Sequence, residues 1–207
     1  SLALNCGQAC TALTRVLVPA SRKEEAEQVM VRLVSGYTIG AWNAPGTVLG
    51  PLVSKAQQER VLGYIQKGID EGARVIIGGL DSGKSEGYFV TPTVFSDVSN
   101  DMTIAREEIF GPVLSIIRFE TEAEAIALAN ASAYGLQASV WSDNINRAHR
   151  VARRLRAGTV HVNQYDEDDI TVPFGGFKQS GNGRDKSLHA FDKYTELKTT
   201  WLRIDPA

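Results

Sequence analysis

Two hydrophobic periodicities alternate along most of the chain. Short runs of apolar residues, typical of buried strands, occur at 15–19, 74–79, 113–119, 138–141 and 159–162. Between them, apolar residues recur at helical spacing over 23–35, 54–72, 121–130 and 144–156. Because buried strands that alternate with amphipathic helices are typical of α/β proteins, we expect a mostly parallel sheet with helices on both faces.

The last regular segment follows a different pattern. From Tyr194 to Ile204, apolar and β-branched residues alternate with charged ones after a glycine-rich stretch, which predicts a strand with no helix behind it. A terminal strand that cannot reach a parallel sheet through a crossover must pair elsewhere, and a neighbouring subunit is one possible partner.

Composition narrows the class of protein. The 207 residues are 43% hydrophobic and 22% charged, which is enough apolar content for a sizeable core. The net charge of −2 and the scattered basic residues argue against nucleic-acid binding. No segment approaches the about 18 uninterrupted apolar residues of a membrane span, so we expect no membrane partner.

The two cysteines, Cys6 and Cys10, permit a disulfide, half of a metal site, or reduced thiols. A disulfide over this spacing would be a local and ineffective crosslink, and His149, His161 and His189 are too dispersed to complete a metal site. Reduced thiols in a cytoplasmic protein fit best, with Cys6 as a packing residue.

Residues 78–85, GGLDSGKS, match the phosphate-binding pattern G-x-x-x-x-G-K-[ST] after a predicted strand. Such a loop works because a helix begins at its Lys-Ser and directs backbone amides at phosphate. The residues after Lys84, EGYFVTP at 86–92, disfavour a helix. A polar surface loop therefore fits better, and a P-loop nucleotide-binding protein stays as an alternative.

The segment NCGQAC at 5–10 carries the strongest chemistry. A thiol among small residues and amides leaves room for backbone N–H groups to approach what the sulfur attacks, so Cys10 is a candidate nucleophile, although free cysteines are more often buried packing residues. With Arg15 and an apolar strand following, the segment resembles the active-site segment of aldehyde dehydrogenases.

A second segment supports the resemblance. Residues 106–113, REEIFGPV, are similar to the family signature Glu-x-Phe-Gly-Pro. Taken alone, the segment is more typical of a helix end with a phenylalanine in the core. The resemblance implies instead that Glu108 binds the nicotinamide ribose and that Phe110 packs near the nicotinamide ring. The resemblance also places Gln57 and Arg60 near the adenosine ribose of the cofactor.

A third signature, PFGGFKQSGNGR, lies at 173–184. With the residues around Tyr165, this loop lines the aldehyde tunnel in the family, so Tyr165 and Phe174 are candidate substrate walls. The acidic run 167–169, which includes Asp168, reads either as a solvated loop or as a site for a cationic substrate end. The stretch 172–187 resembles the branch that acts on aminoaldehydes such as γ-glutamyl-aminobutyraldehyde.

In aldehyde dehydrogenases the cysteine thiolate adds to the aldehyde, hydride passes to NAD or NADP, and water activated by a Glu hydrolyses the thioester. The family's activating Glu, oxyanion Asn and glycine-rich cofactor loop precede the cysteine, and no G-x-G-x-x-G follows a strand here. The resemblance thus implies a Rossmann-like catalytic domain over 1–190, an oligomerisation strand and tail over 191–207, and no cofactor-binding domain within the chain.

Two classes of function stay open. The first is the catalytic portion of an NAD(P)-dependent aldehyde dehydrogenase, inactive as this fragment. The second is a non-catalytic domain that forms a homodimer or homotetramer through its last strand.

Overall fold

The computed structural model describes residues 2–81, 84, 86–165 and 169–205. Helices and strands alternate through most of this range, and three 3₁₀ turns (Leu4–Gly7, Ala20–Arg22 and Leu188–Lys193) supplement them. The elements run in the order β1 (Arg15–Pro19), α1 (Lys23–Ser35), α2 (Lys55–Asp70), β2 (Arg74–Ile77), β3 (Thr93–Ser96), α3 (Thr103–Arg106), β4 (Val113–Phe119), α4 (Glu122–Asn130), β5 (Tyr134–Gly135), β6 (Gln137–Val140), α5 (Ile145–Ala152), β7 (Thr159–Val162) and β8 (Phe177–Lys178).

The main sheet has the strand order β1-β4-β3-β2. Strand β4 runs parallel to both β1 and β3, and β2 is antiparallel to β3. Strands β6 and β7 form a separate parallel pair, and β5 and β8 form an antiparallel pair. The predicted α/β class and its mostly parallel pairing are confirmed, although the strands are divided among three ladders.

Alternation along β4 explains why helices cover both faces of the sheet. Val113 and Ile117 belong to one apolar cluster, which includes Val61 and Ile65 of α2. Leu114 and Ile116 belong to the other, which Val34 and Met30 of α1 complete. Since both faces of β4 are buried, its sequence reads as a continuous apolar run, as expected for a central parallel strand.

The helix starts follow the cap residues in the sequence. The side chains of Ser54, Thr121 and Asn144 each accept a hydrogen bond from the backbone N–H three residues on, which satisfies a free donor of the first turn. The cap at Ser54 fixes where α2 begins and therefore which of its side chains lie against the segment before β4.

Three details differ from the predicted pattern. Strand β3 is absent from the prediction because it is short and two of its four residues, Thr93 and Ser96, are polar although fully buried. Helix α5 ends at Ala152 rather than at 156, because the Asn130 side chain bonds the backbone at Arg154 and Arg156 (2.9 and 2.8 Å) in place of further helical turns.

The third difference concerns the predicted strand at 194–204. Within the part of the chain that the structure describes, residues 195–205 pair with no other strand, and their large apolar side chains are exposed.

In the described ranges, no helix combines the length and hydropathy needed to cross a bilayer.

A network of charges joins α1 to β2 and to the end of β3. The Glu27 carboxylate accepts from Lys23 at 2.6 Å and from Arg74 at 2.8 Å, and it also accepts a short hydrogen bond from the Ser96 hydroxyl. Burial by itself raises the pKa of Glu27, but these hydrogen bonds outweigh it and lower the pKa from 4.5 to about 2.

We expect Glu27→Gln to lower the free energy of unfolding by about 1–3 kcal/mol at pH 7, because two cations and a hydroxyl lose their anionic partner. Since the pKa of Glu27 is lower in the folded state, its contribution is complete above pH 4.5 and disappears as the pH falls towards 2. Urea unfolding of both proteins from pH 7 to pH 3 measures this difference.

Glu24→Gln is the matched control, because Glu24 lies on the same helix and forms no ion pair among the described residues. An equal cost for both variants at pH 7, or a Glu27→Gln difference that does not change with pH, would contradict the assignment.

Candidate active site

The segment around Cys10 begins with a tight left-handed turn. Asn5, Cys6 and Gly7 have φ values of 47, 57 and 73°, a region that side-chain-bearing residues adopt only when local bonds compensate. Asn5 Nδ2 donates to the Gln8 carbonyl (3.0 Å) and Gln8 Nε2 donates back to the Asn5 carbonyl (3.2 Å). The two amides therefore stabilise the turn that leads into the thiol.

The two cysteines occupy different environments. Cys10 is exposed, whereas Cys6 is half-buried against the larger apolar cluster and its Sγ donates to the Gly50 carbonyl at 3.5 Å. Burial raises the pKa of the Cys6 thiol. Of the two sulfurs, Cys10 belongs to the more exposed residue and is the more accessible to a dissolved electrophile.

The cysteine loop packs directly on the segment that carries Glu108 and Phe110. A Cβ added to Gly7 would lie 2.1 Å from the Gly111 carbonyl oxygen, so the two backbones meet where no side chain fits. Gln8 attaches the cysteine loop to the residues just before α2, since its Oε1 accepts from the Val53 N–H at 3.1 Å. The first two sequence motifs are thus neighbours in the fold.

Helix α2 holds the second motif through its backbone. Gln57 Nε2 donates to the carbonyls of Ile109 (3.2 Å) and Phe110 (2.7 Å), and Arg60 Nη2 donates to the Glu108 carbonyl at 2.8 Å. In this structure, therefore, the two residues predicted to bind the cofactor's adenosine ribose bond the segment expected at the nicotinamide.

The side chains of the second motif suit the roles that the resemblance implies. Glu108 is exposed, and its carboxylate has no hydrogen-bond partner among the described residues, so its oxygens can accept from hydroxyl groups. Phe110 is half-buried with a φ of 61°, which makes its backbone an uncommon left-handed one. A free carboxylate beside an aromatic wall fits the ribose and ring of a nicotinamide nucleotide.

The two predicted substrate walls lie on different loops. The Tyr165 hydroxyl donates to the Thr11 carbonyl at 3.1 Å, which places this tyrosine beside the nucleophile segment. Phe174 exchanges two backbone hydrogen bonds with Asp185 (2.9 and 2.7 Å), which closes the third motif into a loop. No hydrogen bond joins Phe174 to Cys10 within the described residues.

The acidic run at 167–169 is only partly described. Asp168, predicted to bind substrate, and Glu167 lie outside the described residues. Asp169 is exposed and accepts from the backbone and hydroxyl of Thr171 (2.7 and 2.6 Å), bonds that lower the pKa of its carboxyl group.

The carboxyl end of α4 binds a residue after the cysteine segment and a residue of the third motif, a connection that the sequence alone does not predict. The Arg15 guanidinium, five residues after Cys10, donates to the carbonyls of Leu128 and Ala129 at 3.0 Å. Lys178 of the third motif donates to the carbonyl of Asn130 at 2.7 Å. Two cations at the negative end of a helix are favourable, and the sequence signal was Arg15 at the start of an apolar strand.

Within the described residues, the helix that should follow a P-loop is absent. Residues 86–92 form no helix, and the chain proceeds from β2 to the antiparallel strand β3. Ser82, Gly83 and Ser85 of the motif lie outside the described residues. Among the described residues, no group of three or more His, Cys, Asp or Glu side chains is arranged to hold a metal ion.

We expect iodoacetamide to modify Cys10 at least about tenfold faster than Cys6 at pH 7.5, because Cys6 is half-buried and its pKa is raised. Peptide mass spectrometry of partially labelled protein measures both rates, with Cys6→Ala and Cys10→Ala as single-thiol controls. Faster labelling of Cys6 would show that Cys10 is not the accessible thiol.

Comparison with known proteins extends these motif matches to the whole chain. The model of the aldehyde dehydrogenase family matches residues 1–200. The chain is 45% identical over 201 residues to the NADP/NAD-dependent aldehyde dehydrogenase PuuC of Escherichia coli, covering 97% of this chain and 40% of PuuC. It is 48% identical over 202 residues to a betaine aldehyde dehydrogenase of Rhizobium johnstonii, covering 97% of this chain and 42% of that protein.

Solved structures agree with this result. The NAD⁺ complex of an aldehyde dehydrogenase from Bacillus cereus matches with a TM-score of 0.91 and 48% identity, covering 97% of this chain and 40% of that one. The chain thus spans about 40% of the length of the relatives that it matches. It belongs to the aldehyde dehydrogenase family.

Proposed function

We propose that this chain is the catalytic portion of an NAD(P)-dependent aldehyde dehydrogenase with Cys10 as the nucleophile. The observation that carries the proposal is the Gly7–Gly111 contact, which packs the loop of an exposed thiol against the segment of Glu108 and Phe110. A thiol beside a nucleotide-binding segment can hold a carbonyl carbon where its hydride has an acceptor.

The chemistry assigned to this chain begins at sulfur. The Cys10 thiolate adds to the aldehyde carbon and forms a C–S bond, and the resulting oxyanion takes a hydrogen bond from the Cys10 backbone N–H. A nicotinamide cofactor held at Glu108 and Phe110 would supply the acceptor for the hydride of that carbon. Water then displaces the Cys10 sulfur from the thioester, which releases the carboxylic acid and regenerates the thiol.

The choice of NAD or NADP rests on the relatives. The Bacillus cereus structure is that of a complex with NAD⁺, and PuuC is NADP/NAD-dependent. In this chain, the exposed and unpartnered Glu108 carboxylate would accept from ribose hydroxyls, and the half-buried Phe110 would flank the ring.

We infer that the 207 residues do not complete the reaction by themselves. By resemblance, the carboxylate that activates water and the second oxyanion donor come from sequence upstream of the cysteine. Within the described residues, the side chains that bond the nucleophile loop are amides and a tyrosine, and none of them is a strong base.

For the substrate we propose an aldehyde with a cationic or aminoalkyl end. The relatives include betaine aldehyde dehydrogenases and PuuC. In this chain the acidic run 167–169 follows Tyr165 in sequence, and the Tyr165 hydroxyl bonds the nucleophile segment, so this run is the candidate for attracting the cationic end.

The test compares NAD⁺ and NADP⁺ reduction by this chain and by a form extended upstream through the family's cofactor-binding domain. We expect activity only in the extended form, complete loss with Cys10→Ala, and higher kcat/KM for 4-aminobutyraldehyde than for butyraldehyde. Asp168→Asn with Asp169→Asn should reduce this preference at least about threefold, because a carboxylate cluster concentrates cations.

The outcomes separate the alternatives. Activity in the 207-residue chain would contradict the incompleteness proposal, and equal use of both aldehydes would reject only the substrate class. Inactivity of both forms would favour the non-catalytic, oligomerising alternative.

We also propose that residues 194–204 pair with a second copy of the chain in a cytoplasmic homodimer or homotetramer. The tail displays Leu197, Trp201 and Ile204 almost fully exposed, and two free thiols fit a reducing compartment. An extended apolar segment without a ladder partner is suited to strand pairing between subunits.

Trp201→Glu is expected to shift the oligomer towards monomer, because a charge would be buried in the paired strand. Light scattering over a concentration series measures the mass. Trp42→Glu is the control, since Trp42 is 84% exposed and Trp201 is 94% exposed, but Trp42 lies in a loop far from the tail in sequence. The same mass for both variants would reject the tail as the interface.

A further inference from the structure

Both N–H groups of the Gln57 side-chain amide donate hydrogen bonds within the protein. Its Nε2 carries two N–H groups, and they bond two successive carbonyls, Ile109 at 3.2 Å and Phe110 at 2.7 Å. Only its Oε1 is left without a partner among the described residues. If a cofactor hydroxyl meets Gln57 while these bonds persist, the glutamine can only accept from it.

Side chains of α2 form hydrogen bonds with four consecutive residues of the second motif, 107–110. Arg60 donates to the Glu108 carbonyl, and the Tyr64 hydroxyl donates to the Glu107 carboxylate at 2.7 Å. Burial and this bond raise the pKa of Tyr64, so it remains a donor through neutral pH. Side chains on one face of α2 thus bond every residue of the segment 107–110.

The same helix supports Gly111 by packing. A Cβ on Gly111 would lie 2.5 Å from Cγ2 of Val61, a side chain with no exposed area, so the glycine backbone lies flat on α2. The carbonyl group of Gly111 lies against Gly7. The turn before Cys10 therefore contacts Gly111, and Gly111 contacts α2, so a shift of one backbone is transmitted to the next.

We infer that Gln57 is a positioning residue, which fixes the Phe110 carbonyl and, through Gly111 and Gly7, the left-handed turn that precedes Cys10. Its consequence for catalysis rests on the proposed function, but the coupling itself is a property of this chain. The left-handed Phe110 backbone needs such support, because φ values near +60° are unfavourable for a residue with an aromatic side chain.

The neighbouring residue provides a matched control. Gln58 is also half-buried on α2, and its Nε2 donates to a backbone carbonyl, that of Phe89, at 2.8 Å. Gln57→Leu removes two hydrogen bonds to backbone carbonyls and Gln58→Leu removes one, all donated from the same helix. Only the Gln57 bonds end on the segment that supports Gly7.

The experiment compares Gln57→Leu with Gln58→Leu in the 207-residue chain. Hydrogen exchange is followed at the amides of Val113 and Gln8, which bond the carbonyls of Gly111 and Asn5 (2.8 and 3.0 Å). The iodoacetamide rate of Cys6, whose thiol bonds Gly50, reports independently on the turn.

For Gln57→Leu we expect exchange at both amides and the Cys6 alkylation rate to rise about tenfold over Gln58→Leu, because local opening becomes easier. None of these readouts needs dehydrogenase activity, so their failure is distinct from failure of the proposed function. Equal behaviour of the two variants would overturn the inference. Faster exchange at Val113 with unchanged Gln8 and Cys6 would also overturn it, since the support would then end before Gly7.

A second pair of variants tests the same coupling from the other side. Gly7→Ala inserts a methyl group against the Gly111 carbonyl, whereas Gly46→Ala, at a similar φ (79° against 73°), has nothing within 4 Å of the added Cβ. We expect Gly7→Ala alone to raise exchange at Val113. Equal effects of the two substitutions would show that only backbone strain, and no contact with Gly111, matters at Gly7.

Discussion

The close approach of Gly7 to Gly111 is the constraint on which the site depends. A Cβ on Gly7 would overlap the Gly111 carbonyl, and a Cβ on Gly111 would overlap Val61 of α2, so neither position has room for a side chain. This contact brings a loop from the start of the chain against a turn just before the central strand. The reactive thiol and the residues suited to a nucleotide are thereby fixed by one piece of backbone packing.

Helix α2 gives this contact its rigidity. Its inner face contributes Val61 and Ile65 to the core, and its next face bonds the carbonyls before Gly111. A helix anchored in the core on one side is a firm base for polar contacts on the other, since moving it would open the packed interior. The glutamine and arginine of α2 are then structural donors in this chain before any ligand is considered.

Local sequence was sufficient for much of the fold. Helix starts at Ser54, Thr121 and Asn144 carry their own cap residues, and the central strand is recognisable because both of its faces are buried. Strand β3 and the early end of α5 were not predictable, because the first is half polar and the second depends on Asn130 from another helix. The motifs located the candidate residues, but only the fold shows that Gln57 and Arg60 bond the segment of Glu108 and Phe110.

The order of the contact along the chain has a consequence for synthesis. A ribosome completes residues 2–14 before it adds Gly111, so the turn before Cys10 emerges without the backbone that supports it. The nascent chain therefore carries its two thiols without the Gly111 contact until the segment before β4 has been made. The Cys6 thiol bonds Gly50, which emerges before Gly111, so the bond of this thiol and the support of the turn can form at different times during synthesis.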